Sequence, residues 1–345
     1  MEALHARSHS SSFDRGKPGL ALAAAPAAAQ KQSLTMAHAW GPSHHMVKTQ
    51  DIWIKDIESA SKGNLTIAVD KAAIGSPTAQ YDLVKDAVRD TVWFVPGYTP
   101  GRFPLFQVAE LPFICPNAAT CAPALWEWYT KHKLVDREFT DTRLVVAFVH
   151  GPGTLHARKP IRTMDELAGK KIRVGGSGVP IAKALGSAVV AMPATDAYEA
   201  LQRGTVDGVM FPWEAMMSFR LNEMATYHLE IPGGMYSSSF GINIHPKSLD
   251  GLNAANREAL MKAGGLDGSK HFGKYWDLAD KASRDDGIAK KNTIETLSDA
   301  ELPKWKKALA PVRQEWLDMA KGKGLDGEML LKDFEATVAK YKTAS

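Results

Sequence analysis

Apolar positions recur every second residue in some stretches of the chain and every three to four in others. Leu65, Ile67 and Val69 alternate with polar neighbours and predict a strand. Before it, residues 44–61 place Val47, Ile54 and Ile57 on one helical face, and Gly63 supplies a stop. After it, residues 81–89 read as a helix and 92–95 as a fully buried strand. Strand, helix, strand in that order is a βαβ unit and implies parallel pairing. The turn-rich stretch PGYTPGRFP (96–104) follows directly, and in open α/β sheets ligands bind beyond the carboxyl ends of strands.

A second unit follows. Residues 144–149 predict a strand, HGPG (150–153) a linker or crossover, and 171–174 a short strand running into Gly175, Gly176, Ser177 and Gly178. A helix near 180–185, a strand over 189–192, a helix N-capped by Asp196, a strand over 206–211, a helix over 214–225 and a returning strand over 240–244 complete it. Asp196 with Glu199, and Ser298 with Glu301, have capping-box spacing. From Leu249 onward the pattern is almost wholly helical, with Pro303 and Pro311 limiting its straightness. No repeat of solenoid period occurs.

At 345 residues the chain is too long for one compact core and fits two lobes. Its 42 basic and 38 acidic residues give a net charge of +4, with both signs spread throughout and no run of five like charges, which argues against nucleic acid as a partner. No apolar run approaches the ~20 residues of a membrane span. Residues 1–31 differ from the rest. A polar, His/Ser-rich start leads into GLALAAAPAAA (19–29), as in a worn secretory signal, or in a tag fused to a signal remnant. Cys115 and Cys121 fit neither a CxxC redox pair nor a zinc ribbon, leaving a small disulfide loop or two free thiols.

Candidate chemistry is sparse. Gly176 and Gly178 have GxG spacing after a strand, but Ile181 stands where a dinucleotide fingerprint needs its third glycine. His38, His44 and His45 cluster without an i,i+4 pair or an accompanying carboxylate, so no metal is expected. No GxSxG, HExxH or Walker A sequence occurs, and no nucleophile stands with a base. Arg173 is the singular residue. It is flanked by Ile172 and Val174 in a short strand ending at the glycine loop, and its planar fork matches a carboxylate.

ELAGKKIRVGGSGVPIAKALGSAVVAMPATDAYEALQRGTVDGV (166–209) resembles the substrate-binding subunits of tripartite ATP-independent periplasmic (TRAP) transporters, the DctP-like family. PGYTPGRFPLFQVAELPF (96–113) resembles the matching loop of one subgroup, and the likeness runs from about residue 33 to the C-terminus. The resemblance implies a periplasmic, non-enzymatic α/β clamp without a cofactor, expected as a monomer. Crossing strands and a long C-terminal helix would join its lobes, and the closed form would dock on TRAP membrane subunits. Lobe I is expected over 32–151 plus about 239–270, and lobe II over 152–238 plus about 271–345. Arg173 would hold a small carboxylate.

Two departures from the family pattern shape the expected ligand. A second arginine common after the crossover is missing from GPGTLHARKPI (151–161), where His156 is the better candidate. The polar position near 210 is replaced by the run from Met210 through Phe211, Pro212 and Trp213 to Glu214. Both point to one carboxylate on an apolar or aromatic body. The expected pocket is Arg173, Tyr98, Phe211 and Trp213, with His38, Trp40 and His156 as further contacts. Glu214 would accept a ligand hydroxyl or sit with a cation. A polar pocket for a hydroxylated or sugar acid, a two-lobe enzyme, and a sensor lobe without a transporter are the alternatives.

Overall fold

The computed structural model describes residues 31–41 and 44–342; the segment read as a signal or tag remnant lies outside them, except Lys31. Eleven strands occur among these residues: β1 (Gln32–Ala37), β2 (Leu65–Val69), β3 (Thr91–Phe94), β4 (Arg143–Val149), β5 (Thr154–Ala157), β6 (Lys171–Val174), β7 (Ala188–Ala191), β8 (Gly208–Phe211), β9 (Tyr227–Glu230), β10 (Ser239–Ile244) and β11 (Thr293–Thr296). They form two sheets, in the orders β2-β1-β3-β10-β4 and β11-β9-β5-β8-β6-β7. In the first, β1 pairs in parallel with β2 and β3, as the βαβ pattern requires, and β10 runs antiparallel between β3 and β4. In the second, β6 lies parallel to β7 and β8, and β5 is antiparallel to β8 and β9.

Two segments cross between the sheets, one from β4 to β5 and one from β9 to β10. They are bonded to each other: the His150 amide donates to the Ser238 carbonyl (3.1 Å) and the Gly153 amide to the Tyr236 carbonyl (2.7 Å). The Ser237 hydroxyl donates to the His150 carbonyl at 2.9 Å. A third connection is the 25-residue helix Gly265–Ala289. At Gly268 it lies against Val146 of the first sheet, and at Gly287 against Trp213 at the end of the second. A Cβ at Gly268 would come within 2.8 Å of the Ala263 carbonyl and 3.0 Å of Val146, so this helix packs closely only because that position is glycine. The chain then adds β11, turns through the Pro311-containing helix Leu302–Gly322, and ends on the helix Gly327–Lys342. That last helix returns to the helix Ala118–Lys131, where the Trp128 indole donates to the Leu330 carbonyl (2.8 Å). Among the described residues no helix is long and apolar enough to cross a membrane.

Local signals explain most elements. The helix His45–Ala60 buries Met46, Trp53, Ile54 and Ile57 on one face, takes His44 as its N-cap, and stops where Lys62 and Gly63 turn to positive φ. The helix Ala118–Lys131 starts on Asn117, whose side chain accepts from the Thr120 amide, and Asp277 of the long helix accepts from the amides of Ala118 and Ala119. Cys121 in that helix is disulfide-bonded to Cys115, with Cα atoms 5.6 Å apart.

Several expectations fail for identifiable reasons. The helices expected over 81–89 and 214–225 end at Lys85 and Ser218, because Ala87 and Arg220 take left-handed backbone at φ 58° each. Asp196 makes no cap bond; it continues a 3₁₀ turn in right-handed helical backbone, and its carboxylate accepts from the Thr195 hydroxyl. Ser298 does accept from the Glu301 amide (3.3 Å), but the Glu301 carboxylate turns away to the Met164 amide and Lys304. The strands β5, β9 and β11 carry no period long enough to detect, and buried histidines occupy β5 and β9.

Candidate ligand-binding site

Arg173 lies near the end of β6 and is 1% exposed. Among the described residues no carboxylate lies within ion-pair distance of it. Its Nη2 donates to the Met192 carbonyl (2.8 Å), its guanidinium stacks 4.0 Å over the Phe211 ring, and its Nε has no partner. Burial lowers its pKa, partly offset by the neighbouring Tyr98 and Tyr236 oxygens, yet a guanidinium keeps its proton in proteins. A buried cation without a counter-anion costs several kcal/mol.

Arg173 contributes one wall of a cavity of about 50 Å³ between the sheets. Its other walls are largely aromatic: Trp40 in the loop after β1, Trp93 on β3, Phe240 on β10, Phe211 on β8, Phe219 just after the short helix Trp213–Ser218, and Trp276 on the long helix. Phe211 and Phe219 stack with centroids 5.9 Å apart, and Phe240 stacks on Trp276 at 4.9 Å. Two glycine loops, each following a strand, meet beside the cavity. A Cβ on Gly97 would sit 3.0 Å from the Gly176 Cα, and one on Gly175 would sit 2.9 Å from the Arg173 Nη2 and 3.2 Å from the Tyr98 ring. Glycine at these places lets the lobes meet backbone to backbone beside the guanidinium. Tyr98 also ties the lobes together, because its hydroxyl accepts from the Ala194 amide at 3.1 Å. A larger groove of about 520 Å³ lies beyond the loops, but its lining includes Glu110 and Glu315 and no basic side chain, so it cannot neutralise an anion.

Glu214 lines the same inner cavity as Arg173. His45 Nδ1 donates to its Oε1 (2.5 Å), the His44 Nε2 lies 3.6 Å from the same oxygen, and its own amide donates to Asp280 (2.6 Å). Burial would raise the Glu214 pKa, but His45 and His44 outweigh it and hold the group at about 2, so it is an anion. Burial takes His44 down to about 4, which makes it neutral at physiological pH. The histidine cluster has no carboxylate nearby in sequence, but the fold supplies one from 169 residues away, and ligating atoms of His44, His45 and Glu214 all lie within 4.8 Å of one another. Capping decides against a cation nonetheless. His44 Nδ1 accepts from the Met46 amide (3.2 Å), so the ring proton sits on Nε2 and faces Glu214, leaving no lone pair there for a metal.

The structure therefore gathers Arg173, Tyr98, Phe211, Trp40 and Glu214 around one cavity. It places three other expected contacts elsewhere. His38 bonds the Asp70 carbonyl (2.9 Å) and the Trp40 amide (3.3 Å). Trp213 donates to Glu230 (2.9 Å) and packs against His228. His156 is fully buried behind β8, where its Nδ1 meets the His228 Nδ1 at 2.7 Å and its Nε2 meets the Phe211 carbonyl at 3.3 Å. Wall residues that sequence reasoning missed are Trp93, Phe219, Tyr236, Phe240 and Trp276. An aromatic directly after or within an apolar strand was the available signal for Trp93 and Phe240; Trp276 carried none beyond its helical face.

Residues 36–319 match the model for bacterial extracellular solute-binding protein family 7, DctP. The chain belongs to the DctP family. A TRAP solute-binding protein of this type from Rhodoferax ferrireducens T118, solved with copurified benzoate, has a TM-score of 0.86 and 32% identity, over 91% of this chain and 100% of that one. A TRAP periplasmic solute-binding protein from Bordetella bronchiseptica with bound (R)- and (S)-mandelate gives 0.86 and 31%, over 90% and 99%. The outer membrane transporter protein TsaT of Comamonas testosteroni is 29% identical over 92% of this chain and 96% of its own length. As a DctP-family member, the chain is a periplasmic solute-binding protein of a TRAP system and not an enzyme. The two sheets with long C-terminal helices are the family's clamp.

Proposed function

We propose that this DctP-family protein captures an aromatic monocarboxylate in the inner cavity and presents it, lobes closed, to TRAP membrane subunits. The observation that carries the reading is the buried Arg173 with no carboxylate partner, set in a wall of aromatic rings. The guanidinium would take the carboxylate in its fork, using the unpaired Nε as one donor. The rings would cover the apolar body with large, rigid contact area. A second carboxylate would find no second cation, and Glu214 in the cavity wall would repel it. The benzoate and mandelate bound by two similar proteins support the same class. A sugar acid fits less well, because its many hydroxyls would lie against aromatic faces and lose water without replacement.

A thermal-shift screen tests this. Benzoate-type acids, branched hydroxy acids, sugar acids and succinate are each added well above saturation. A ligand at 100 times its Kd adds about 2.7 kcal/mol of stability. The aromatic acids should raise the Tm by several degrees while succinate leaves it unmoved. A shift with a sugar acid and none with any aromatic acid would replace this reading with the polar-pocket alternative.

A further inference from the structure

One carboxyl is buried where the two lobes touch, away from the ligand cavity. Glu110 ends the 3₁₀ turn Phe106–Glu110 and is 5% exposed. Among the described residues no cationic side chain pairs with it. Its Oε1 accepts from the Ser239 amide (2.9 Å) and the Ser239 hydroxyl (2.5 Å), where the second crossing segment enters β10. A third partner comes from the other lobe: the hydroxyl of Ser177, in the glycine loop after β6, lies within hydrogen-bond reach of the carboxyl. Glu110 and Ser177 both line the outer groove, beside the Gly97–Gly176 contact. The ionisable groups around this carboxyl offer it no positive charge. Tyr98 and Glu315 line the same groove, and Tyr236 stands on the crossing segment. Glu138, which accepts from the Tyr129 hydroxyl, also accepts from the Leu105 and Phe106 amides ahead of the turn. His150 bonds the crossing segment through its backbone, and its ring, held neutral by burial, lines the inner cavity.

Counting protons shows which form of Glu110 the closed lobes hold. The Ser177 hydroxyl meets the Ser237 carbonyl (3.1 Å), the Ser238 hydroxyl (2.7 Å) and the Glu110 carboxyl, and it has one proton to give. If Glu110 is ionised, the carbonyl and the carboxylate compete for that proton and one of them goes without. If Glu110 is protonated, its O–H and that of Ser238 both donate to Ser177, and the Ser177 proton goes to the Ser237 carbonyl. Every contact is then satisfied. Burial acts in the same direction and pushes the carboxyl up to about 7. Parting the lobes would withdraw Ser177 and admit water from the groove, and a hydrated carboxyl ionises. Resting on the proposed clamp, we infer that Glu110 takes up a proton from solvent as the lobes close and returns it as they open, so that ligand is held more tightly at lower pH. Proton and ligand then favour each other's binding by the same factor. Glu110 touches no ligand; it acts through closure.

Titration calorimetry of the full chain with benzoate, in buffers of different ionisation enthalpy, counts the protons bound along with the ligand. Wild type should take up about half a proton at pH 7, and its Kd should fall about ten-fold from pH 8 to pH 6. Glu110→Gln keeps the shape of the protonated acid and can donate to Ser177 through its amide. Its uptake should be smaller than that of wild type by about the same half proton, and its Kd at pH 8 should match that of wild type at pH 6. A merely structural role for Glu110 would not move the proton count. No uptake by wild type, or equal uptake by the two proteins, overturns the inference and leaves the aromatic reading intact. If the variant does not fold, difference infrared spectra of wild type at pH 7 decide. A protonated-carboxyl band appearing with benzoate supports the inference, and its absence overturns it. If benzoate does not bind, the aromatic reading is weakened, and whichever acid of the thermal-shift screen does bind serves as the probe for the same proton count. Binding by none of those acids overturns the clamp reading and this inference with it.

Discussion

At the residue scale, the account turns on what a buried cation lacks. Arg173 has a carbonyl, a ring face and no carboxylate. Its truncation to alanine should weaken binding of an aromatic acid by roughly 3–5 kcal/mol, since the ligand carboxylate would then be buried unpaired. Arg173→Lys should fail nearly as badly, because a point charge on a flexible stem cannot reproduce the planar fork. Titration calorimetry of both variants against wild type checks this, and either variant binding within a factor of three of wild type would remove Arg173 from the site. Arg173 was legible in the sequence because a charged residue between Ile172 and Val174 ahead of a glycine loop is chemically conspicuous. Glu214 was legible only as a carboxylate in a polar-to-aromatic replacement; its histidine partners lie 169 residues away and no local pattern joins them.

At the scale of elements, the βαβ order and the returning strand were legible because their strands are long or fully apolar. The four-residue strands β5 and β9 were not, since each places a histidine where an apolar residue belongs. The fold resolves that conflict by bonding the two histidines to each other. One proton arrangement satisfies the whole row: the Asn292 amide donates to His228 Nε2 (3.0 Å), His228 Nδ1–H to His156 Nδ1, and His156 Nε2–H to the Phe211 carbonyl. The row runs from Asn292, just before β11, through β9 and β5 to the cavity-lining end of β8, and it requires both rings neutral. Burial lowers the His228 pKa to about 4 and the His156 pKa well below the ordinary value. Below the unfolded value near 6.5 the unfolded chain binds protons that the folded one refuses. The stability from the neutral pair is therefore complete above about pH 6.5 and is lost as pH falls toward 4, by up to about 3 kcal/mol for His228 alone. His44 and His150, both lowered to about 4 by burial, act in the same direction. Glu110, raised to about 7 by burial, acts oppositely, losing its contribution as pH rises from 4.5 through 7, and burial raises Asp280, Glu138 and Asp277 in the same sense. The histidine row is therefore isolated by difference: from pH 7.5 to pH 5 the urea midpoint of wild type should fall further than that of His228→Asn, which lacks one titrating ring of the row. Equal changes in the two proteins over that interval would contradict the neutral-histidine row.

At the scale of the molecule, two sheets meet over one cavity, and the crossing segments beside it are hydrogen-bonded to each other. Glycine loops that follow β3 and β6 touch beside the cavity, and on the proposed reading a ligand would leave as the lobes part. The bonded crossing segments around 150–153 and 233–238 are where such a motion would turn, because they link the sheets with few residues. A clamp of this kind discriminates by what it can enclose without stranding a charge. With one cation and one carboxylate in its wall, the cavity should enclose a monoanion and reject a dianion. The most direct test is displacement calorimetry with the protein preloaded with benzoate or a hydroxybenzoate and titrated with succinate. The account predicts no displacement by succinate at concentrations where a second aromatic monocarboxylate displaces fully. Displacement by succinate at equal or lower concentration than the aromatic acid would contradict it.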